Sequence, residues 1–372
     1  MKLKANMLDS IQSVLLMGPG PSSIAPSVYH ALSRPSLGHL DPYFLQIMDE
    51  IKLQLQEVMG TKNETILPIP GTGMAGMEAA FVNLVEPGDK VLILVNGFFG
   101  KRMVEMAQRQ GGIVTELEFT WGTPVVMADV AEQLKKDQYA IVAMVHAETS
   151  TGVRNPLEEL GKLLDGYGAL LIADCVTSLG GIPVKVDEWG LDVVYSGTQK
   201  CLGCPPGLAP ITFSPKAMEK VANRKNKVPN WYLDMTTLAS YWGSGKRAYH
   251  HTSPINMDYG IYQALYNLLD EGLENSFKRH QDAHEYLVKE LEKLGLELYV
   301  AKEHRLPMLN SVKVPAGMDE ALLRARLLSE HSIEIGAGLG PLAGQIVRIG
   351  LMGYNAHKYN VDRLVTALKA II

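Results

Sequence analysis

From about Thr65 onward, short continuous apolar runs alternate with segments of helical periodicity, and few architectures accommodate that pattern. The runs Val91-Leu92-Ile93-Leu94-Val95, Ala140-Ile141-Val142-Ala143-Met144-Val145 and Leu170-Leu171-Ile172-Ala173 are unbroken by charge. Such runs suit strands buried on both faces. Residues 101–110, 127–136 and 156–167 read as the helices between them. Alternation of this kind predicts an α/β fold, a mostly parallel sheet covered by helices on both sides. After Pro254 the pattern changes. Residues 262–270 and 274–294 read as long helices, followed by extended segments 296–300 and 311–314, a helix over 320–331, the strand Ile346-Val347-Arg348-Ile349 and a closing helix over 359–371. That is a smaller α+β unit with its own sheet. Met17-Gly18-Pro19-Gly20-Pro21 is too rich in Gly and Pro for helix or strand and reads as an extended lead-in. The expected division is an N-terminal arm over 1–20, a large domain over 21–271 and a small C-terminal domain over 272–372.

With 372 residues, 47% of them hydrophobic, the chain can bury one large core and a smaller one. Its net charge of −5, without a basic run, argues against nucleic acid as a partner. Three cysteines are too few for a disulfide framework and fit a reducing compartment. Residues 1–13 hold no apolar stretch fit for a signal peptide or membrane span, and the last residues carry no Ser-Lys-Leu-type address. The expectation is a soluble cytoplasmic protein with no membrane partner.

Two residues carry the chemistry. Asp174 closes the run Ala169-Leu170-Leu171-Ile172-Ala173, and Lys200 follows Val193-Val194-Tyr195-Ser196-Gly197-Thr198-Gln199. A lysine fixed beside buried surface has its amine pKa lowered, which favours the neutral nucleophile able to form a Schiff base with an aldehyde. A carboxylate at a neighbouring strand end can keep a pyridine nitrogen protonated. Together these are what pyridoxal phosphate asks of a protein. Taken singly, each has a plainer reading, a solvated surface lysine and a buried acid satisfied by backbone N–H groups. Gly71-Thr72-Gly73-Met74-Ala75-Gly76 matches G-x-G-x-x-G between a strand-like segment and a helix over 77–84, so a phosphate belongs there. A dinucleotide fold would end the next strand in an acid, whereas Val95 is followed by Asn96-Gly97. A nicotinamide-dependent oxidoreductase built on this loop is the rival of a different class. Arg348, flanked by apolar residues, needs an anion, either an internal carboxylate or a substrate's. Cys201 and Cys204 have C-x-x-C spacing, but the only other cysteine is Cys175 and Pro205-Pro206 follows directly, so they read as small residues of a tight loop. His250-His251 reads as hydrogen bonding in a polar loop, and no metal is expected.

Gly18-Pro19-Gly20-Pro21, Glu148-Thr149-Ser150-Thr151-Gly152, Asp174-Cys175-Val176-Thr177-Ser178-Leu179-Gly180-Gly181, Tyr195-Ser196-Gly197-Thr198-Gln199-Lys200, Tyr249-His250-His251-Thr252 and Arg348-Ile349-Gly350 together resemble the class V, fold-type I pyridoxal phosphate aminotransferases. Within that class the chain is most similar to the alanine–glyoxylate / serine–pyruvate aminotransferases, from about Leu16 to its end. The resemblance implies a seven-stranded sheet in the large domain and a homodimer whose subunits share each active site. It implies that Lys200 carries the cofactor and shuttles the proton, that Asp174 pairs with the ring nitrogen, and that Val176 packs under the ring. Thr149 would bond the cofactor's phenolic oxygen. Thr72, Gly73 and Gln199 would bind the phosphate, joined by Tyr249 and Thr252 of the other subunit. Arg348 would grip the substrate carboxylate.

Animal members of the family carry His where Met74 stands and Trp where Phe99 stands. Phe99 keeps a ring able to stack on the cofactor, and Met74 offers apolar contact. Selectivity for small side chains is expected from crowding near Gly18, His39 and the Tyr249 region. His39 stands where ureidoglycine–glyoxylate aminotransferases are expected to carry Gln, which weakens that alternative. A cysteine desulfurase would need a cysteine beyond Cys204, and there is none. The expected reaction is a ping-pong transfer of an amino group from alanine or serine to glyoxylate or pyruvate.

Overall fold

The computed structural model describes residues 6–243 and 247–372, so the first five residues of the expected N-terminal arm lie outside the described residues. The strands are β1 Leu15–Leu16, β2 Thr65–Gly71, β3 Lys90–Val95, β4 Ile113–Glu118, β5 Ile141–Val145, β6 Ala147–Glu148 and β7 Val153–Arg154. They continue with β8 Leu170–Asp174, β9 Val193–Tyr195, β10 Gly207–Phe213, β11 Leu309–Lys313, β12 Ile333–Glu334, β13 Gly336–Ala337 and β14 Ile346–Gly350. Seven of them form the main sheet in the order β2-β10-β9-β8-β5-β3-β4. The five strands from β9 to β4 run parallel, and β10 is antiparallel to both β9 and β2. The register sets Val145 beside Asp174 and Asp174 beside Tyr195. Three strands therefore end together, and the crevice outside such carboxyl ends is where open α/β sheets hold ligands.

Every residue of β5 and β8 is buried, as their continuous apolar sequence requires. Two strands of the main sheet escaped the sequence reading. The edge strand β4 shows only half-buried and exposed positions. β10 carries Pro210, and its partner β2 carries Pro68 and Pro70. Proline is tolerated on β2 because it is an edge strand. The helix Pro42–Met59 was also unread, although its ends are well marked. Asp41 accepts the Tyr43 N–H at 2.8 Å, proline occupies the first turn, and Gly60 closes it with φ 60°. The helix expected over 77–84 begins earlier, at Gly73.

A second sheet, β11-β14-β13, is antiparallel. The strand expected over 296–300 is not one. Leu298 makes a single bridge to Val312 beside β11, flanked by the Lys313 N–H to Glu297 carbonyl and Tyr299 N–H to Ser311 carbonyl bonds, both 2.8 Å. The apolar interior falls into two main clusters. One runs from Ile24 to Leu268 around the large sheet, and the other gathers Ala283 to Leu368. Leu15 and Met17 belong to the second cluster, because β1 pairs with β12. The N-terminal segment is thus built into the C-terminal core. Among the described residues no helix is long and apolar enough to cross a membrane.

Candidate active site

At the shared strand ends lies a cavity of about 140 Å³. Asp174 and Lys200 both line it, with Val176, Gln199 and Thr149. So do Thr72, Gly73, Met74 and Phe99. Nine residues singled out from the sequence therefore converge. A larger cavity of about 510 Å³, between Gly161 and Lys216, brings together none of them.

The Asp174 carboxylate is 3% exposed and accepts the Val176 N–H and the Tyr195 hydroxyl, each at 2.9 Å. Burial pushes its pKa up to about 6, against the pull of those two donors and of Lys200. Two lone-pair directions remain for a further donor, and a cationic N–H would suit this buried acid best. The Lys200 amine donates to the Pro19 carbonyl. Burial, and then the nearby Arg348 cation, lower its pKa to about 8. Ser22 fixes the loop beneath it, its N–H bonding the Gln199 carbonyl at 3.0 Å and its hydroxyl the Lys200 carbonyl at 3.0 Å. Gly20 has φ +111°, and a Cβ there would overlap the lysine amine.

Thr72 precedes the helix Gly73–Leu84 and makes no side-chain capping bond. Gly73 admits no side chain, since a Cβ would stand 2.8 Å from Val176. Gln199 Oε1 is buried without a hydrogen-bond partner among the described residues. A Cβ on Gly197 would be 2.9 Å from that oxygen and 3.3 Å from the Gly73 nitrogen, so the amide lies beside the helix start. Rotating the Gln199 amide presents two donors next to the first-turn N–H groups, an arrangement that accepts a phosphate. On these observations the residues fit a group with a phosphate at one end and a protonated ring nitrogen at the other.

Arg348 is 6% exposed. It donates to the Ala337 carbonyl at 2.6 Å and the Thr149 carbonyl at 3.0 Å. It has no salt bridge among the described residues, and burial lowers its pKa to about 10. An incoming carboxylate would answer that unpaired buried charge. Gly18 lies against the strand of Arg348, where the Gly350 N–H donates to the Met17 carbonyl at 2.7 Å.

Three residues stand apart. Tyr249 is 61% exposed, its hydroxyl lies 3.4 Å from that of Thr252, and its ring is 5.3 Å from His39. None of the three lines the cavity of its own chain. His250 and His251 face each other at 2.8 Å between their Nδ1 atoms. No group of three or more metal-binding side chains gathers among the described residues. Cys201 and Cys204 are buried, and burial pushes both thiols up to about 12. Thiols so protonated are unreactive.

Sequence reasoning gave no role to Tyr195, Ser22 or Glu148. The register of β8 and β9, which sets Tyr195 beside Asp174, was the available signal for the first. Glu148 carried the signal of an acid with no basic neighbour, inside Ala147-Glu148-Thr149-Ser150.

The sheet order, the paired acid and lysine at its strand ends, and the smaller C-terminal sheet define a fold-type I enzyme of the aminotransferase kind. The profile of the Aminotransferase class-V family matches residues 26–364. The chain is 42% identical over 363 residues to an alanine–glyoxylate aminotransferase of Mus musculus, covering 97% of this chain and 88% of that one. It is 39% identical over 375 residues to a (S)-ureidoglycine–glyoxylate transaminase of Bacillus subtilis, covering 96% and 90%. The crystal structure of an alanine–glyoxylate aminotransferase from Nostoc sp. superposes with a TM-score of 0.95 at 49% identity, over 99% of this chain and 100% of that one. The chain belongs to the class V aminotransferases and is a transaminase.

Proposed function

We propose that the cavity binds pyridoxal phosphate and that the enzyme transfers an amino group from alanine or serine to glyoxylate or pyruvate. The convergence of a buried acid and a pKa-lowered lysine on one small cavity carries this reading. The mouse and Nostoc relatives are alanine–glyoxylate aminotransferases, which supports alanine as a donor and glyoxylate as an acceptor. Bound there, the cofactor supplies a carbonyl that takes the amino group and a ring that absorbs electron density from the substrate's Cα.

The chain's own residues do the rest. Asp174 holds the ring nitrogen protonated. Thr72, Gly73, Gln199 and the start of the helix Gly73–Leu84 hold the phosphate, Thr149 bonds the phenolic oxygen, and Val176 and Phe99 enclose the ring with Met74 beside them. Arg348 orients the substrate through its carboxylate, which donor and acceptor share, so it does not choose between them. The Lys200 amine, half neutral at pH 8 and increasingly so above it, takes the Cα proton and returns it. The keto acid leaves before the acceptor enters, and the same residues run the second half in reverse.

The exposed Tyr249 and Thr252 complete the phosphate site of a partner subunit, and His39 with Gly18 crowds the substrate side chain. The enzyme is on this reading a homodimer. The split of the apolar core between Leu268 and Ala283 supports a boundary near Gly272 between the large and small domains, with residues 1–20 as an arm. Three buried, unpaired cysteines support a cytoplasmic location.

The test has two parts. Purified apoprotein titrated with pyridoxal phosphate develops a visible band that borohydride bleaches. Half-reactions with a panel of donors then give the largest specificity for alanine or serine. A protein that binds no pyridoxal phosphate refutes the site. A panel led by ureidoglycine instead supports the function of the Bacillus subtilis relative.

A further inference from the structure

Glu148 is wholly buried one residue before Thr149, yet the mechanism above leaves it without a task. Its carboxylate meets four donors. Oε1 accepts the Ser150 N–H at 3.1 Å and the Ser150 hydroxyl at 2.6 Å. Oε2 accepts the Phe99 N–H at 3.2 Å and the Gly100 N–H at 3.4 Å. Ser150 Oγ in turn accepts the Phe98 N–H at 3.0 Å. The first three N–H groups of the helix Phe98–Arg109 are therefore capped from another segment. Gly97, the residue at the capping position, makes no side-chain cap bond. A Cβ on Gly97 would overlap the Glu148 carboxylate, so the glycine is what admits this acid.

Local helix caps are ordinarily supplied by the residue at the start of the helix. Here the cap comes from the turn that also presents Thr149 to the cavity and offers its carbonyl to Arg348. The helix it caps begins with Phe98 and Phe99, whose rings meet edge to face at 5.7 Å, and Phe99 is a wall of the cavity. We infer that Glu148 is a positioning residue that fixes the Phe99 ring against the cofactor by capping its helix from the Thr149 turn. This rests on the proposed cofactor site.

The chemistry of the cap makes the carboxylate hard to replace. Three of its partners are backbone N–H groups that only donate, so a glutamine there turns an NH₂ toward at least one of them. A buried acid also needs this many donors to remain ionised. Burial pushes the Glu148 pKa up to about 7, the Ser150 bonds oppose that rise, and Asp174 adds to it.

The test compares wild type, Glu148→Gln, Phe99→Ala and the double variant. Each full-length apoprotein is titrated with pyridoxal phosphate, the dissociation constant is read from visible absorbance, and thermal melting is recorded separately. Glu148→Gln is expected to weaken binding about tenfold, the scale of a lost helix cap. In the Phe99→Ala background the same change should add less than about twofold, because its target is gone. Equal binding by wild type and Glu148→Gln overturns the inference, and so does a full tenfold effect in the Phe99→Ala background. If Glu148→Gln does not fold, Ser150→Ala serves, with a smaller loss that also vanishes without the Phe99 ring; no loss, or a persistent one, overturns the inference. Failure of wild type to bind pyridoxal phosphate sinks the cofactor site itself, a distinct result.

Discussion

On our proposal the cavity of Asp174 and Lys200 and the stretch Tyr249–Thr252 serve one kind of site, but only the first is assembled within the chain, since neither Tyr249 nor Thr252 lines that cavity. Asp174, Lys200 and Thr72 occupy strand ends and the loops that leave them, held by ladder and loop hydrogen bonds. Tyr249 and Thr252 lie exposed on a loop, touching each other and His39. Groups that need an altered pKa sit where burial is unavoidable, and burial is what moves Asp174 up and Lys200 down. A phosphate needs only donors, and donors cost little on a surface until a second subunit covers them. On our proposal the division of labour follows from that difference.

The largest effect should come from the interior side. Lys200→Ala removes the attachment point and the proton shuttle together, and the half-reaction rate with alanine should fall by about 10⁴-fold or more. The borohydride-sensitive band should vanish with it. A half-reaction rate within about tenfold of wild type would dissolve the contrast, because the buried cavity would then hold no chemistry.

The second prediction attacks the contrast at the surface. Tyr249→Ala alone should weaken pyridoxal phosphate binding by about tenfold, the value of one hydrogen bond to a charged group. Refolding it together with Lys200→Ala yields mixed dimers in which one site pairs an intact Lys200 with an intact Tyr249. At limiting cofactor that mixture should turn over faster than either variant alone. If mixing restores nothing, each chain completes its own site and the exposed loop has another purpose.

A smaller effect separates the two cations of the cavity. The Lys200 amine has its pKa lowered to about 8, first by burial and then by Arg348. It is protonated below that value and cannot attack a carbonyl; above it the neutral form dominates. The rate of pyridoxal phosphate capture by apoprotein should therefore rise about tenfold between pH 7 and pH 9 and then level off, as a single group of that pKa requires. Arg348→Gln removes one of the two causes and should move the midpoint to higher pH. An unmoved midpoint would show that burial alone sets the amine.

What the sequence revealed follows the same divide. β5 and β8 are buried on both faces, so their apolar runs announced them, and the acid ending β8 stood out against that background. β4 was silent because an edge strand with Thr115, Glu116 and Glu118 looks like a surface segment. β10 was silent because Pro210 reads as a breaker. The glycine loop foretold a helix start that accepts anions, though the helix begins at Gly73 and not at Met77. The partnership of Asp174 with Tyr195, the hold of Ser22 on the Lys200 loop and the cap from Glu148 to Phe99 all join segments far apart in sequence. No local pattern encodes them, and they appear only once the strands are in register.

The smallest prediction concerns the same loop as Lys200, four residues on. Cys204 is wholly buried, its N–H bonds the Thr198 carbonyl at 3.0 Å, and its sulfur faces Gly260. Burial holds its thiol protonated, with a pKa of about 12. If the loop needs this side chain only to fill space, Cys204→Ala loses a small apolar contact worth about 1 kcal/mol and melts about 1–2 °C lower. Its kcat and the KM for alanine should stay within about twofold of wild type, because the backbone bond to Thr198 survives the substitution. A tenfold loss of kcat with an unchanged melting temperature would give the C-x-x-C spacing a chemical role. The Lys200 loop would then hold two reactive groups, and reactivity would no longer track burial along it.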